Sequence, residues 1–115
     1  MKPIRITYDP DGDILYVNFG TPTTATGYQL SDQVLLRIPP RSQEAAGLTI
    51  FNYSIHAQSE QEIPLSELEK DPELESRLLP ILISPPVAHF LRVVKNGQEI
   101  RAVLLSPSLQ EAVSA

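Results

Sequence analysis

Two side chains near the middle of the chain are of the types that nucleophilic catalysis uses. Ser54 lies two positions before His56, and on a strand both side chains would point to the same face. A serine hydrolase holds its nucleophile on a strained turn with a base in reach, often within a G-x-S-x-G motif that this chain lacks. The pair therefore supports an alternative hypothesis, a small-molecule-binding protein or weak hydrolase-like enzyme that uses His56 and Ser54 beside Tyr53.

Three aspartates, Asp9, Asp11 and Asp13, repeat at every second position, as acidic ligands do in calcium-binding loops. A helix–loop–helix calcium site also needs glycine at the sixth loop position and glutamate at the twelfth. Those positions hold Ile14 and Gly20. The spacing therefore favours a plain hairpin turn over a calcium site.

The remaining composition predicts no catalytic, cofactor-binding or metal-binding residue. His56 and His89 are far apart in the sequence, and nothing in their spacing indicates that they meet. The chain has no cysteine, which excludes disulfides, thiolate metal sites and cysteine catalysis. Its five glycines are isolated from one another, so no glycine-rich phosphate loop is present.

The charge distribution argues against direct binding of nucleic acid. The formal net charge is −5, and no basic stripe occurs along the chain. Seven acidic residues and one lysine fall between Glu60 and Glu75. Such a segment fits a basic protein partner. A solvated acidic helix face is the alternative explanation, and the pattern favours it.

Residues 4–20 have the pattern of two strands folded back around a polar turn. Apolar and polar residues alternate on both sides of the turn, which predicts strands. Pro10 suits the second position of a type I turn, Gly12 tolerates a positive φ, and Asp9 can bond the backbone two residues on. The second strand has apolar residues on both faces, so we expect a partner chain to cover part of it.

The same hairpin carries a family resemblance. The pattern Tyr8-Asp9-x-x-x-Asp13-x-Leu15-Tyr16-x-x-Phe19 resembles the opening of domain of unknown function family 2283, whose members are short microbial proteins. The resemblance covers about residues 4–57 and implies further strands at residues 27–30, 34–38 and 47–55. Some proteins that resemble this family are encoded beside small toxin-like proteins. The resemblance therefore implies an antitoxin-like role, and no activity is established for the family.

Two helix starts are predicted after the strands. Ser66 followed three residues later by Glu69 fits a capping box. Asp71 followed by Pro72 fits a second start, with aspartate at the N-cap and proline at the first helical position. A leucine stripe at four-residue spacing then predicts packing on the sheet, and it comprises Leu74, Leu78 and Leu82. We expect Pro80 to end or kink this helix.

The last third of the chain has two interpretations. Residues 89–105 fit a hairpin with Asn96-Gly97 at its turn, and this interpretation is favoured. The alternative is a helix over residues 87–94 that Gly97 closes near its C-cap.

These elements predict an α+β fold, an antiparallel β-sheet meander of about five to seven strands with one or two short helices on one face. Residues 1–115 are expected to form a single domain, with a β-meander half at 1–57 and a helical segment plus C-terminal hairpin at 58–115.

The sequence shows no secretory signal and no apolar stretch long enough to span a membrane, so we expect a cytoplasmic protein. It favours a small non-enzymatic interaction module that forms a homodimer, with a basic protein as a further partner.

Overall fold

The computed structural model describes residues 4–20, 23–55 and 62–105, which form two antiparallel sheets and several short helices. The first sheet consists of β1 (Ile4–Asp9), β2 (Ile14–Phe19), β3 (Thr26–Gln29), β4 (Val34–Ile38) and β5 (Gly47–Phe51). The second sheet consists of β6 (Ile63–Pro64), β7 (Leu91–Asn96) and β8 (Glu99–Leu104). The helices are α1 (Ser66–Lys70), α2 (Pro72–Leu82) and a 3-10 helix (Val87–His89), and residues 53–55 are also helical.

The predicted α+β class with antiparallel strands is confirmed. The strands divide between two sheets, and the order in the first is β1-β2-β5-β4-β3. Only β3, β4 and β5 follow the order of a meander, because β2 pairs with β5 instead of β3. Burial explains this order. Strands β2, β4 and β5 contain the fully buried residues of the sheet and lie inside it, whereas β1 and β3 have no fully buried residue and lie at its edges.

The first hairpin forms as the sequence predicts, with Asp9 paired opposite Ile14. The Asp9 carboxylate accepts a hydrogen bond from the Asp11 N–H at 3.1 Å, which is the predicted bond to the backbone two residues on. The left-handed residue of the turn is Asp13, with φ of 56°, and not Gly12. A short polar side chain tolerates this conformation better than most residues do.

One face of the first sheet, which we call the inner face, lies in the hydrophobic core. Leu15 and Val17 of β2 lie opposite Ile50 and Leu48 of β5, and all four side chains are fully buried. The core cluster also contains Leu68 of α1, Leu78 and Leu82 of α2, and the buried apolar residues of the second sheet. Each fully buried side chain of this size stabilises the fold by about 1.5–3 kcal/mol before conformational entropy is counted.

Helix α1 does not have the predicted capping box. Its N-cap is Leu65, Ser66 is already helical, and no side chain caps the N-terminus. The Glu69 carboxylate instead accepts the Ile100 N–H at 2.7 Å, while the Ile100 carbonyl accepts the Leu65 N–H at 2.8 Å. Glu69 thus accepts a hydrogen bond from the backbone of β8, next to the point where β6 ends. The capping-box motif does not predict this contact, because Ile100 is 31 positions away.

Helix α2 begins where the sequence predicts. Asp71 is its N-cap, its carboxylate accepts the Leu74 N–H at 3.1 Å, and proline follows at the first helical position. Leu78 and Leu82 are buried and Leu74 packs partly against the core, as the leucine stripe predicts. Pro80 lies inside the helix, which ends two residues later at Leu82.

The C-terminal hairpin is confirmed in place of the alternative helix. Asn96 pairs with Glu99, so the two-residue loop is Gly97-Gln98, one position later than predicted. Gly97 has φ of 65°, the conformation that the first central residue of a type II′ turn needs.

The strand predicted over residues 47–55 is too long. Strand β5 ends at Phe51, Asn52 takes φ of 55°, and residues 53–55 are helical. The change of direction brings this segment onto the turn between β1 and β2, where the Tyr53 N–H donates to the Asp13 carbonyl at 3.0 Å.

Candidate functional site

The structure places Ser54 beside a carboxylate. Because residues 53–55 are helical, the same-face argument for Ser54 and His56 fails, and His56 lies outside the described residues. The Ser54 hydroxyl donates to Asp13 Oδ2 at 2.8 Å, and the Ser54 N–H lies 3.0 Å from Oδ1 and 3.2 Å from Oδ2. A serine hydroxyl held in this way is a structural donor to a carboxylate, whereas a nucleophilic serine would donate its proton to a neighbouring base.

Asp13 is the centre of a small polar cluster at the turn end of the sheet. Tyr8, at the end of β1, donates its hydroxyl to Asp13 Oδ1 at 2.7 Å. The Tyr8 ring packs edge-on against Tyr53, with ring centroids 5.8 Å apart and an angle of 65° between the planes. We call Tyr8, Asp13, Tyr53 and Ser54 the Asp13 cluster. It ties the β1–β2 turn to the segment that follows β5.

Both phenols of the Asp13 cluster are held in the protonated form. The hydrogen bond to Asp13 raises the pKa of Tyr8, with burial and the carboxylate charge adding to it. Burial and then the Asp13 charge raise the pKa of Tyr53, whose hydroxyl is buried with no hydrogen-bond partner among the described residues. A tyrosine acting as a general base would need a pKa shifted toward neutrality, so this arrangement favours stability over catalysis.

The remaining candidates for a metal site are also dispersed. Asp9 is engaged in the turn and Asp13 in its own cluster. His89 lies exposed in the 3-10 helix. In the described part of the chain, no group of three or more His, Asp or Glu side chains is close enough to hold a metal ion.

The described carboxylates of the acidic segment mostly have partners within the chain. Ion pairs join Glu62 to Arg101, Glu67 to Lys70 and Glu75 to Lys95. Glu69 and Asp71 accept backbone hydrogen bonds, as described above. The segment therefore stabilises α1, α2 and the second sheet, which fits the favoured explanation of an acidic helix face.

The second surface of interest is the side of the first sheet that points away from the core. We call it the outer face, and its side chains belong to Arg5, Thr7, Asp9, Ile14, Tyr16, Asn18, Gly27, Gln29, Leu35, Arg37, Gly47, Thr49 and Phe51. Four of these, Ile14, Tyr16, Leu35 and Phe51, are large, only partly buried, and do not belong to the core cluster. The outer face therefore presents apolar and aromatic surface to solvent or to a partner.

A polar row crosses one end of the outer face. Arg37 extends over Gly47, and its Nη2 donates to the side-chain oxygen Oδ1 of Asn18, joining β4 to β2 across β5. A Cβ at Gly47 would clash with the Arg37 guanidinium, so any other residue at this position would force the Arg37 side chain to shift. The Arg37 Nε is buried without a partner among the described residues. The arginine of β4 is visible in the sequence, but its partner Asn18 lies on another strand, so no short sequence pattern identifies the pair.

The third feature is a cleft of about 660 Å³ between the β4–β5 turn, helix α2 and residues 84–86. Its lining includes Tyr28, Arg41, Arg77 and Ile81, whereas Ser54 and Tyr53 are not part of it. The alternative hypothesis, a small-molecule binder that uses His56, Ser54 or Tyr53, needs a pocket at those residues, and this cleft is not lined by Ser54 or Tyr53. No local sequence pattern indicates the cleft, because its two walls are separated by over thirty positions along the chain.

Comparison with known proteins confirms the resemblance of the first half. Residues 5–54 match the family described as a protein of unknown function, DUF2283. The match spans the five-stranded sheet and ends at Ser54, so all four residues of the Asp13 cluster fall within it. No curated protein and no solved structure matches the chain. No helix in the described ranges is long and apolar enough to cross a membrane.

Proposed function

We propose that this protein is a non-enzymatic interaction module that forms a homodimer through the outer face of its five-stranded sheet. The observation that carries this proposal is the placement of Ile14, Tyr16, Leu35 and Phe51 on that face, outside the core. Aromatic side chains are enriched at protein interfaces, and these partly exposed side chains are apolar surface that a second copy would bury. A second copy would bring the same residues to both sides, as a two-fold interface requires.

The charges at the two ends of the sheet support a particular arrangement of the two copies. At one end, residues 9–13 and 30–33 hold four aspartates and no basic side chain. At the other end, Arg5 and Arg37 lie in the same row across the strands, through Asn18 and Gly47. The sheet therefore has an acidic end and a basic end.

A two-fold axis that lies across the strands would place each acidic end over a basic end. Each strand would then face its own copy running in the opposite direction, and Arg5 would face Asp9 of the partner subunit. An axis along the strands would instead place like charges together. Charge complementarity of this kind contributes more to orientation and specificity than to affinity, which the buried apolar patch would supply.

The dimer is tested by measuring the mass of the protein in solution across micromolar concentrations by sedimentation. We expect a dimer for the unmodified chain and a folded monomer for Leu35→Glu, because a carboxylate in the middle of the outer face would be buried without a partner. Ile83→Glu is the matched control, since Ile83 is 60% exposed and lies outside the outer face, and it should remain dimeric. A monomeric unmodified chain, or a dimeric Leu35→Glu variant, would overturn the proposal.

The orientation is tested by exchanging charges along β1. Arg5→Glu should weaken the dimer by about 1 kcal/mol for each of the two contacts, since each opposed pair is exposed and screened. The double variant Arg5→Glu, Asp9→Arg should restore it, because the exchanged charges again oppose one another across the axis. Restoration that fails while Leu35→Glu still dissociates the dimer would leave the interface in place and reject the reversed orientation.

A basic protein partner for the acidic segment, as in an antitoxin-like role, has less support. Most described carboxylates of that segment already pair within the chain, so a partner would have to displace those contacts. Capture of the tagged protein from its host distinguishes the two cases. Recovery of one stoichiometric basic protein would favour this role, and recovery of untagged copies of the same chain would favour the homodimer alone.

A further inference from the structure

We propose that the cleft between the β4–β5 turn and helix α2 binds a small organic anion that has an apolar body and a carboxylate or phosphate head. The cleft is separate from the outer face and does not depend on the homodimer. Its volume of about 660 Å³ lies in the range of sites that bind small molecules.

Part of the cleft wall suits the apolar body of such a ligand. The Ile38 and Ile81 side chains contribute from the end of β4 and from α2, and Tyr28 contributes an aromatic ring. Pro39, Pro40, Pro80, Pro85 and Pro86 also line it. Proline rings are apolar and rigid and present no N–H, so they cost little conformational entropy when a ligand packs on them.

Two guanidinium groups line the cleft, and they suit the anionic head. Arg77 is held by Tyr28, because its Nη2 donates to the Tyr28 hydroxyl at 3.2 Å and its Cζ lies 5.7 Å from the ring centroid. Neither Arg77 nor Arg41 pairs with a carboxylate of the described residues, whereas Lys70, Lys95 and Arg101 do. Glu44 is the carboxylate in the lining, which leaves the lining with one excess positive charge.

The backbone at Arg41 adds an independent observation. The Ser42 N–H donates to the Pro39 carbonyl at 3.1 Å, which closes a turn with Pro40 and Arg41 at its centre. Arg41 has φ of 61°, and this turn position strongly favours glycine. An arginine held in a left-handed conformation is a cost to folding, and residues held at such a cost cluster at ligand sites.

Guanidinium groups recognise carboxylate and phosphate oxygens through paired N–H donors, with a geometry that lysine cannot reproduce. Two of them beside an apolar wall therefore select an anion that carries a hydrophobic group, over either an inorganic anion or a neutral apolar molecule. Carboxylates and phosphate monoesters share this chemistry, and titration with benzoate beside phenyl phosphate separates them.

The experiment is a titration of the full chain with phenyl phosphate, followed by amide and guanidinium NMR shifts. We expect saturable shifts at Tyr28, Arg41 and Arg77, with weaker binding of inorganic phosphate and of benzyl alcohol. Equal affinity for inorganic phosphate would mean an adventitious ion only and would overturn the proposal. Absence of saturable shifts with both phenyl phosphate and benzoate would also overturn it.

Two variants and a control test the assigned residues. Arg77→Gln and Arg41→Gly should each weaken binding by about tenfold or more, as loss of a charge-assisted hydrogen bond predicts. Arg41→Gly should not lower the melting temperature, because relief of the left-handed strain offsets the added freedom of glycine in the unfolded chain. Arg92→Gln, at an exposed arginine of β7 outside the cleft, should bind as the unmodified chain does. Unchanged affinity in both cleft variants would overturn the assignment.

Discussion

Asp13 is the residue on which the turn end of the sheet depends. Its backbone takes a left-handed conformation, and its carboxylate accepts hydrogen bonds from Tyr8 and Ser54. Glycine would satisfy the backbone requirement alone, and asparagine would keep one of the two acceptor oxygens. The two substitutions therefore separate the conformational role from the hydrogen-bonding role.

We expect Asp13→Gly to lower the free energy of unfolding by about 2 kcal/mol, because it leaves the partly buried donors of Tyr8 and Ser54 without an acceptor. Asp13→Asn should cost about half as much. The measurement is urea unfolding followed by circular dichroism. Asp11→Asn is the matched control, since Asp11 is exposed and none of its described contacts uses the side chain. An Asp13→Gly variant as stable as this control would show that the carboxylate contacts contribute little.

The two phenols of the Asp13 cluster predict how stability depends on pH. The pKa values of Tyr8 and Tyr53 lie above the ordinary value of 10.0 in the folded state. The folded chain therefore keeps these protons at pH values where the unfolded chain loses them. Stability should be unaffected by these groups below pH 10 and should fall as pH rises from there through the folded-state pKa values.

Melting temperatures measured across this alkaline range check the prediction. Tyr8→Phe should make the fall shallower, because one of the two phenols no longer titrates. Asp13→Asn should also reduce it, since the carboxylate charge contributes to both shifts. Stability that stays level or rises above pH 10 would contradict the assigned directions.

At the scale of secondary structure, the two helix starts show that the same motif chemistry has different outcomes. Asp71 caps α2 as its sequence predicts. Pro72 lacks an N–H and has a helical φ, so it suits the first helical position, and the Asp71 carboxylate accepts a hydrogen bond from the Leu74 N–H. Ser66 does not cap α1, because the Leu65 N–H donates to the Ile100 carbonyl of β8 and the Glu69 carboxylate accepts a hydrogen bond from the Ile100 N–H. Tertiary contacts replaced the local capping box.

We expect Asp71→Ala to lower the free energy of unfolding by about 1 kcal/mol, the usual cost of losing an N-cap side chain. Ser66→Ala should change it by less than about 0.5 kcal/mol, because Ser66 makes no capping hydrogen bond. Urea unfolding of both variants provides the comparison. A cost for Ser66→Ala equal to that of Asp71→Ala would restore the capping box that the sequence predicts.

At the scale of the whole molecule, the two sheets share one hydrophobic core. Phe19 of the first sheet contacts Phe90 before β7, with ring centroids 6.0 Å apart. The Glu67 N–H donates to the Leu30 carbonyl at 3.1 Å, which links α1 to the turn after β3. From these contacts we propose that the chain is a single domain, although the family match covers only the first sheet.

We therefore expect the chain to unfold in one transition. Circular dichroism, which reports on both sheets, and tyrosine fluorescence, which reports on the first half where all four tyrosines lie, should give the same urea midpoint. Two separated midpoints would show that the second half unfolds on its own and would contradict a single domain.

Local patterns in the sequence were sufficient for the β1–β2 hairpin, the start of α2 and the C-terminal hairpin. Each of these depends on residues within a few positions of one another, so turn chemistry, period-two alternation and capping specify them. The contacts that build the surfaces are of another kind. Ser54 donates a hydrogen bond to Asp13, 41 positions away, and Arg77 donates one to Tyr28, 49 positions away. Strands β2 and β5 pair directly although β3 and β4 lie between them in the sequence. No short pattern encodes such contacts, because they form only when burial of the whole core brings the segments together.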